Sequence, residues 1–190
     1  MTESTFDRAD VLESDAGADV PFLDMPGRLL RRCQQIAVAV FLEECRSFDL
    51  TPLHYATLCA LDRFGPMDQV TLGGVTALDR ATIIIVLKKQ EDRELITRTT
   101  SDKDKRANIV AIADVGRQAI QAVSPSVQRA QKSMMSPLNP RERAQLLALL
   151  KKMANGNNGL SRAPRRLPRK AREQLDTGRT KAWTTQSTAT

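Results

Sequence analysis

The sequence predicts a mainly α-helical protein with one small β-hairpin. Two observations favour this fold class. Apolar residues recur at three- and four-residue steps over most of residues 26–154, which is the pattern of amphipathic helices. Two short β-rich segments, residues 95–99 and 108–112, flank a charged loop and predict a hairpin with a long tip.

Start and stop signals mark the first two helices. The first begins at Pro26 and ends before Asp49, and its apolar positions are Leu29, Leu30, Cys33, Ile36, Ala37, Val40 and Phe41. The second begins with Thr51 as the N-cap and Pro52 at the first helical position, where the missing N–H of proline costs nothing. Gly65 ends this helix.

A short third helix, capped by Asp68, precedes a segment with conflicting signals. Five consecutive β-branched residues, Thr82 to Val86, favour a strand. Residues 77–95 contain no Gly or Pro, however, and a strand of that length would exceed the usual range of about 3–10 residues. A helix capped by Asp79 would place Ile83, Val86, Leu87 and Gln90 on one face and Arg80, Ile84, Lys88 and Glu91 on the other. We therefore predict a helix.

Two further helices follow the hairpin. Residues 114 to about 136 have apolar positions at helical spacing, and Pro125 within them predicts a kink. The last helix has the strongest signals, because Asn139, Pro140 and Glu142 supply the N-cap, the first position and the reciprocal carboxylate of a capping box. Beyond Asn155 the composition is typical of a linker and a disordered tail.

Charge divides the chain, whose net charge is +7, into three regions. Residues 1–24 carry −6 and contain few large apolar side chains, which predicts disorder. Residues 155–190 carry +6, and the remaining middle region carries +7. The helical region is therefore basic on its own, as binding to a nucleic-acid backbone requires. Charge alone also allows ribosomal or nonspecific nucleic-acid binding.

The residue types present argue against metal, disulfide and catalytic sites. Cys33, Cys45 and Cys59 lack CxxC spacing, and the chain has a single histidine, so neither a disulfide framework nor a zinc site or other cofactor is expected. Since there is no Gly-rich phosphate loop and no nucleophile motif, we do not expect an enzyme. The acidic amino terminus lacks an apolar leader, and apolar runs such as 83–87 are too short for a membrane span. We therefore expect a soluble cytoplasmic protein.

The order of predicted elements is typical of a winged helix-turn-helix flanked by further helices. A short helix, a turn, a second helix suited to the major groove and a hairpin with a basic tip follow one another in the middle of the chain. In that setting a β-branched run can remain helical, because tertiary packing overrides intrinsic propensity.

Three stretches, "LTPLHYATLCAL", "DQVTLGGVTALDRATIIIVLKKQEDRELITR" and "SDKDKRANIVAIADVGRQAI", resemble the MarR family of bacterial transcription regulators over about residues 26–154. The most specific pieces are "LDRATI" at the start of the recognition helix and "DKR" at 104–106, where the family has a paired Asp and Arg that places the Arg near the minor groove. The resemblance implies a homodimer that binds a pseudo-palindromic operator on double-stranded DNA and usually releases it when a small ligand binds.

The resemblance also implies a division into domains. Residues 49–112 would form the winged helix-turn-helix DNA-binding domain. Residues 25–48 and 113–154, which contain the first, fifth and sixth helices, would form a helical dimerisation region. Residues 1–24 would remain an acidic, mostly disordered segment and residues 155–190 a basic, disordered tail.

The candidate DNA-binding residues lie on the fourth helix and in the wing. They are Asp79, Arg80, Thr82, Ile84, Lys88, Lys103, Asp104, Lys105 and Arg106. Ile84 and Ile85 stand where family members commonly carry Thr, Ser or Arg, and they can contact thymine methyl groups but cannot hydrogen-bond a base. We therefore expect modest base discrimination with a large phosphate contribution, unless one of these isoleucines turns inward. Arg80 and Lys88 could instead be ordinary solvated charges.

Two further departures from the family pattern lie near the end of the fourth helix. Family members usually carry Gly where Glu94 stands, closing the helix with a left-handed residue, and an apolar residue where Gln90 stands.

The candidate effector-binding residues are Arg31, Arg32, His54 and Tyr55. In similar proteins the first helix lines the effector pocket, and a carboxylate ligand would need a cation nearby. Aromatic carboxylates and aromatic acyl-CoA thioesters are common effectors of these similar proteins. A lone histidine is more often a packed or capping residue, however, and the arginines are more often solvated. The rival functions are a nonspecific or architectural nucleic-acid-binding protein and a cysteine-based oxidant-sensing regulator.

Overall fold

The computed structural model of the chain describes residues 22–100 and 108–168. Within them it forms α1 (Pro26–Glu44), α2 (Pro52–Phe64), β1 (Met67–Asp68), α3 (Gln69–Thr76), α4 (Arg80–Asp92), β2 (Ile96–Thr100), β3 (Asn108–Ile112), α5 (Asp114–Met134) and α6 (Pro140–Gly156). The predicted fold class, mainly α with a small β-hairpin in a winged helix-turn-helix, is confirmed.

The helices begin where their capping residues predict. The Thr51 hydroxyl accepts the backbone N–H of His54 at 3.2 Å, and Asp79 Oδ1 accepts that of Thr82 at 2.8 Å. At the start of α6, Asn139 and Glu142 form the predicted capping box. Such caps satisfy backbone donors that have no partner within the helix, and each contributes about 1 kcal/mol.

The long helices α1 and α5 pack against each other and support the winged domain. Phe41 of α1 is buried in the same core as Val123 and Val127 of α5. Across the exposed edge of this pair, Arg129 Nε donates to a carboxylate oxygen of Glu44 at 2.9 Å. Not all apolar positions of α5 face the core, because Val115 is 48% exposed.

The turn between α3 and α4 fixes the geometry of the helix-turn-helix. The two helices bend by 105° relative to each other, within the range of this motif. The backbone N–H of Leu78 donates to the carbonyl of Gly73 at 2.9 Å, and a Cβ atom on Gly73 would lie only 2.9 Å from the Leu78 oxygen. The turn can therefore close tightly onto α3 only because residue 73 is glycine.

Membrane-spanning potential is low in the described segments. None of their helices is by itself long and apolar enough to cross a bilayer, and only the bent pair of α3 and α4 reaches the required length and composition together.

The wing is a three-stranded antiparallel sheet in the order β1, β3, β2. The predicted hairpin is confirmed, although β2 begins one residue later than expected. β1, in which Met67 pairs with Val110, was not predicted. This third strand joins the wing to the start of α3, so the wing and the helix-turn-helix share a hydrogen-bonded edge.

The carboxyl end of α6 and residues 157–168 differ from the expected disordered tail. α6 continues to Gly156, and residues 158–160 form a turn of 3-10 helix. Beyond it, the backbone of Pro164 and Arg166 passes directly over Gly74 of α3. The first part of the expected tail therefore packs on the helix-turn-helix, whereas residues 169–190 lie outside the described residues.

Helix α4 ends in a Schellman motif closed by Glu94. The backbone N–H of Leu95 donates to the Gln90 carbonyl, and that of Glu94 donates to the Glu91 carbonyl, each at 2.9 Å. Glu94 has a φ of 57°, in the left-handed region. A residue with a Cβ atom pays roughly 1–2 kcal/mol there, and glycine does not.

We expect Glu94→Gly to stabilise the protein by about 0.5–1 kcal/mol. Removing the strain of the left-handed backbone stabilises the folded state by more than the extra conformational entropy of glycine stabilises the unfolded chain. The free energy of unfolding measured in urea checks this, with Glu94→Ala as the matched control that removes the side chain but retains the Cβ atom. An equal gain from both substitutions would show that the Glu94 side chain, and not the backbone conformation, is unfavourable.

Candidate nucleic-acid interface

One face of α4 packs into the core of the winged domain. This face buries the four residues that the predicted helix places together, Ile83, Val86, Leu87 and Gln90. Leu58 and Leu61 of α2 lie in the same hydrophobic cluster. The packing of this apolar stripe holds the β-branched residues in a helix despite their strand propensity.

The opposite face of α4 is open to solvent. Arg80 and Lys88 are exposed there, and Ile84 and Ile85 are 44% and 59% exposed. The alternative in which one of these isoleucines turns inward is therefore wrong. A helix that exposes both cations and β-branched methyl groups can contact phosphates and thymine methyl groups at the same time.

Asp79 and Thr82, two further candidates, form the amino-terminal cap of α4. Hydrogen bonds from the Thr82 backbone and hydroxyl, helped by the positive charge of Arg162, hold the pKa of the Asp79 carboxyl below its usual value. The carboxylate is thus charged and engaged with its own helix. Its main effect on the interface is to fix where α4 begins.

A buried polar network joins α4 to the start of α2. Gln90 is fully buried; its Nε2 donates to the carbonyl of His54 at 3.0 Å, and its Oε1 accepts from the Thr57 hydroxyl at 2.9 Å. Both polar ends of the amide are therefore satisfied, which is why a polar residue can stand on the otherwise apolar buried face of α4.

We expect Gln90→Leu to lower the free energy of unfolding by about 1–3 kcal/mol, because it removes the two buried hydrogen bonds that Gln90 forms with the His54 carbonyl and the Thr57 hydroxyl. Thr57→Val in the same protein should cost less than it does alone, since the Gln90 oxygen that accepts the Thr57 hydroxyl is already absent. Urea unfolding of the two single variants and the double variant measures this coupling. Additive losses would show that the two side chains do not depend on each other.

The chain matches proteins of known family over its helical region. A model described as the MarR family matches residues 50–107. The repressor NicR of Pseudomonas putida is 34% identical over 131 residues, which are 69% of this chain and 83% of NicR. The chain belongs to the MarR family. It is therefore a transcription regulator of the DNA-binding MarR type.

Solved MarR-family structures share this fold. BpsR of Bordetella bronchiseptica, whose DNA binding is regulated by 6-hydroxynicotinic acid, is 31% identical with a TM-score of 0.67, and the match covers 70% of this chain and 96% of BpsR. The repressor CouR bound to a 23-mer DNA duplex is 27% identical with a TM-score of 0.64, over 68% of this chain and 92% of CouR.

The wing of this MarR protein contacts α4. Arg98 Nε of β2 lies 3.2 Å from a carboxylate oxygen of Glu91 in α4, and the arginine side chain is only 19% exposed. The wing and α4 therefore meet through a charge pair as well as through the core. The four wing candidates, Lys103, Asp104, Lys105 and Arg106, lie outside the described residues.

His54 acts as a capping residue. Its Nδ1 accepts the Thr51 backbone N–H at 3.4 Å, and the side chain is 8% exposed. Burial, together with the positive charges of Arg93 and Lys89, lowers the pKa of His54. The ring is thus neutral at pH 7, in agreement with a nitrogen that accepts a hydrogen bond.

The remaining effector candidates are Tyr55, Arg31 and Arg32. Among the residues that the structure describes, no contact within one protomer joins Tyr55 to either arginine. Tyr55 packs its ring 6.0 Å from that of Phe41, and its pKa is raised by burial and by a hydrogen bond with Cys59. Arg31 and Arg32 are exposed and lie about 14–15 Å along α1 from Phe41, at about 1.5 Å per residue.

The environment of the two inward-facing cysteines disfavours thiolate chemistry. Burial raises the pKa of Cys45 and also that of Cys59. Cys33 is exposed on α1. The described residues contain no group of His, Cys, Asp and Glu side chains that could hold a metal ion.

Proposed function

We propose that this MarR protein is a homodimeric repressor that binds a pseudo-palindromic operator and releases it when an aromatic acid or its CoA thioester binds. The observation that carries the proposal is the exposed face of α4, where Arg80, Ile84, Ile85 and Lys88 stand on a helix whose other face is fixed in the core. Such a helix can enter the major groove without rearrangement.

An unpartnered apolar surface on α1 and α6 supports the dimer. The 17-residue helix α6 buries none of its residues within the protomer, although it is strongly capped. Its exposed apolar side chains include Leu147, Leu149 and Met153, and α1 exposes Leu29, Leu30, Ile36 and Leu42. Apolar surface of this extent is typical of a protein interface, and an isologous dimer would cover it on both chains.

One named relative, BpsR, supports an aromatic carboxylate as the effector. 6-Hydroxynicotinic acid, which regulates BpsR, belongs to that class. Arg31, Arg32, His54 and Tyr55 remain the candidate contacts, with an arginine as the partner of the carboxylate. A ligand bound between the dimerisation helices and the winged domain would favour a spacing of the two recognition helices that no longer fits adjacent major grooves.

The test is a fluorescence anisotropy titration of the duplex upstream of the protein's own gene. We expect binding to this duplex to be at least about 10³-fold tighter than to a scrambled duplex, and to weaken with one member of a panel of aromatic acids and acyl-CoA thioesters. Equal affinity for both duplexes would favour an architectural protein. Release by peroxide and not by any acid would favour oxidant sensing by a cysteine.

A further inference from the structure

The segment that follows α6 folds back onto the helix-turn-helix. We call residues 157–168 the strap. It is held at its start by a hydrogen bond from the backbone N–H of Arg165 to Asn158 Oδ1 at 2.7 Å, and the Arg165 side chain reaches Asn155 of α6 at 3.4 Å. The strap therefore has internal structure and a fixed departure from α6.

The strap contacts α3 at a position that only glycine allows. A Cβ atom on Gly74 would lie 2.7 Å from the carbonyl oxygen of Pro164 and 3.0 Å from the backbone nitrogen of Arg166. The two backbones thus approach more closely than any side chain at residue 74 would permit. By contrast, a Cβ atom on Gly159, within the strap itself, would meet nothing within 4 Å.

This contact places strap arginines beside the amino terminus of the recognition helix. A cleft of about 980 Å³ is lined by Arg162 and Arg166 of the strap, by Val70 of α3 and by Asp79 and Arg80 at the start of α4. Arg162 is close enough to Asp79 to lower the pKa of its carboxyl. The side chains of Arg162 and Arg166 are exposed, so their charges face solvent at this edge.

We propose that the docked strap is part of the DNA-binding surface and that Arg162 and Arg166 contact duplex phosphates that flank the recognition helix. In a helix-turn-helix the first helix crosses the backbone while the start of the second reaches the bases. The strap lies across that first helix, α3, and beside the start of α4. Its guanidinium groups suit phosphate oxygens in charge and geometry.

The charge around the strap favours DNA as the partner. The two carboxylates that line the cleft, Asp68 and Asp79, accept hydrogen bonds as helix N-caps, and no ion pair among the described residues joins either of them to a strap arginine. Two exposed arginines in this setting repel cations and attract a polyanion. This inference rests on the DNA-binding function of the chain but not on the identity of its effector.

The test measures how the affinity for the upstream duplex depends on salt. The variant Arg162→Gln/Arg166→Gln is compared with Arg169→Gln/Arg172→Gln, which removes two arginines from the next part of the chain. Each lost phosphate contact reduces the magnitude of the slope of log K against log salt by about 0.9. If two protomers bind one site, the first variant removes two arginines from each, so the magnitude of its slope should fall by up to about 4. The ratio of affinities for the upstream and scrambled duplexes should remain unchanged, because phosphates carry no sequence information.

Three results would overturn the proposal. An equal change in both variants would make the strap a generic basic tail, and no change in the first would remove it from the interface. Tighter binding by the first variant would show that the strap covers the DNA site. If the wild-type protein itself does not bind the duplex, the proposed operator fails and the strap is then tested on nonspecific duplex by the same slopes.

A second pair of variants tests whether docking matters. Gly74→Ala must displace the strap, so we expect it to lower the salt slope in the same direction, whereas Gly159→Ala should leave it unchanged. Circular dichroism establishes that both variants are folded. A folded Gly74→Ala protein with the wild-type slope would show that the contact with α3 is irrelevant to DNA binding and would also overturn the proposal.

Discussion

Leu149→Asp is expected to separate the protomers and to lower operator affinity by about 10²–10⁴-fold. Leu149 lies on α6, is 55% exposed in the protomer, and does not line the cleft between α6 and the strap. A carboxylate in the middle of an apolar interface would be desolvated without a partner. Loss of the dimer removes the contact with the second half-site. Linking two half-site contacts in one dimer raises the affinity by about 10²–10⁴-fold.

Sedimentation equilibrium and anisotropy titrations on the same samples check this prediction. The matched control is Ala144→Asp, which adds the same charge to an exposed position about 140° around the helix from Leu149, at about 100° per residue. The control should remain dimeric and bind normally. A Leu149→Asp protein that stays dimeric would place the interface elsewhere.

Arg80→Ala is expected to weaken binding to the operator by about 10- to 100-fold and to weaken binding to scrambled DNA much less. Arg80 is the first residue of α4 and is exposed beside Ile84 on the solvent-facing side. A guanidinium group that bonds a guanine edge contributes about 1–3 kcal/mol of discrimination, and Ile84 and Ile85 cannot replace it.

Competition titrations with operator and scrambled duplexes measure this effect. Arg46→Ala is the control, since Arg46 is exposed, pairs with Glu43 at 2.7 Å and follows the carboxyl end of α1. The control should alter neither affinity by more than a small factor. An equal loss on both duplexes for Arg80→Ala would assign Arg80 to a phosphate and would leave Thr82 and Lys88 as the base contacts.

Much of the fold follows from local signals in the sequence. Thr51, Asp79 and Asn139 each combine a capping side chain with an apolar pattern that follows at helical spacing, so the helix starts could be predicted residue by residue. The buried and exposed faces of α4 follow from its phase once the cap is fixed.

The remaining features depend on contacts between distant parts of the chain. β1 is two residues long and exists only because Met67 reaches Val110 of the wing. The strap has the composition of a linker, and its position depends on the missing side chain at Gly74. The partners of Gln90, Thr57 and the His54 carbonyl, lie more than thirty residues away. No local sequence pattern predicts such pairings. A polar residue on an otherwise buried face does indicate that a hydrogen-bond partner must exist.

Hydroxyl-radical footprinting of the upstream duplex tests the central claim most directly. Two α4 helices presented by a symmetric dimer should protect two patches on one side of the DNA, with centres about 10–10.5 base pairs, or a small multiple of that, apart. Contacts of the wing and the strap with phosphates should lengthen each protected patch along the DNA backbone. They should not create a third patch. A single protected patch, or uniform protection along the duplex, would contradict the assignment of α4 as a paired recognition helix.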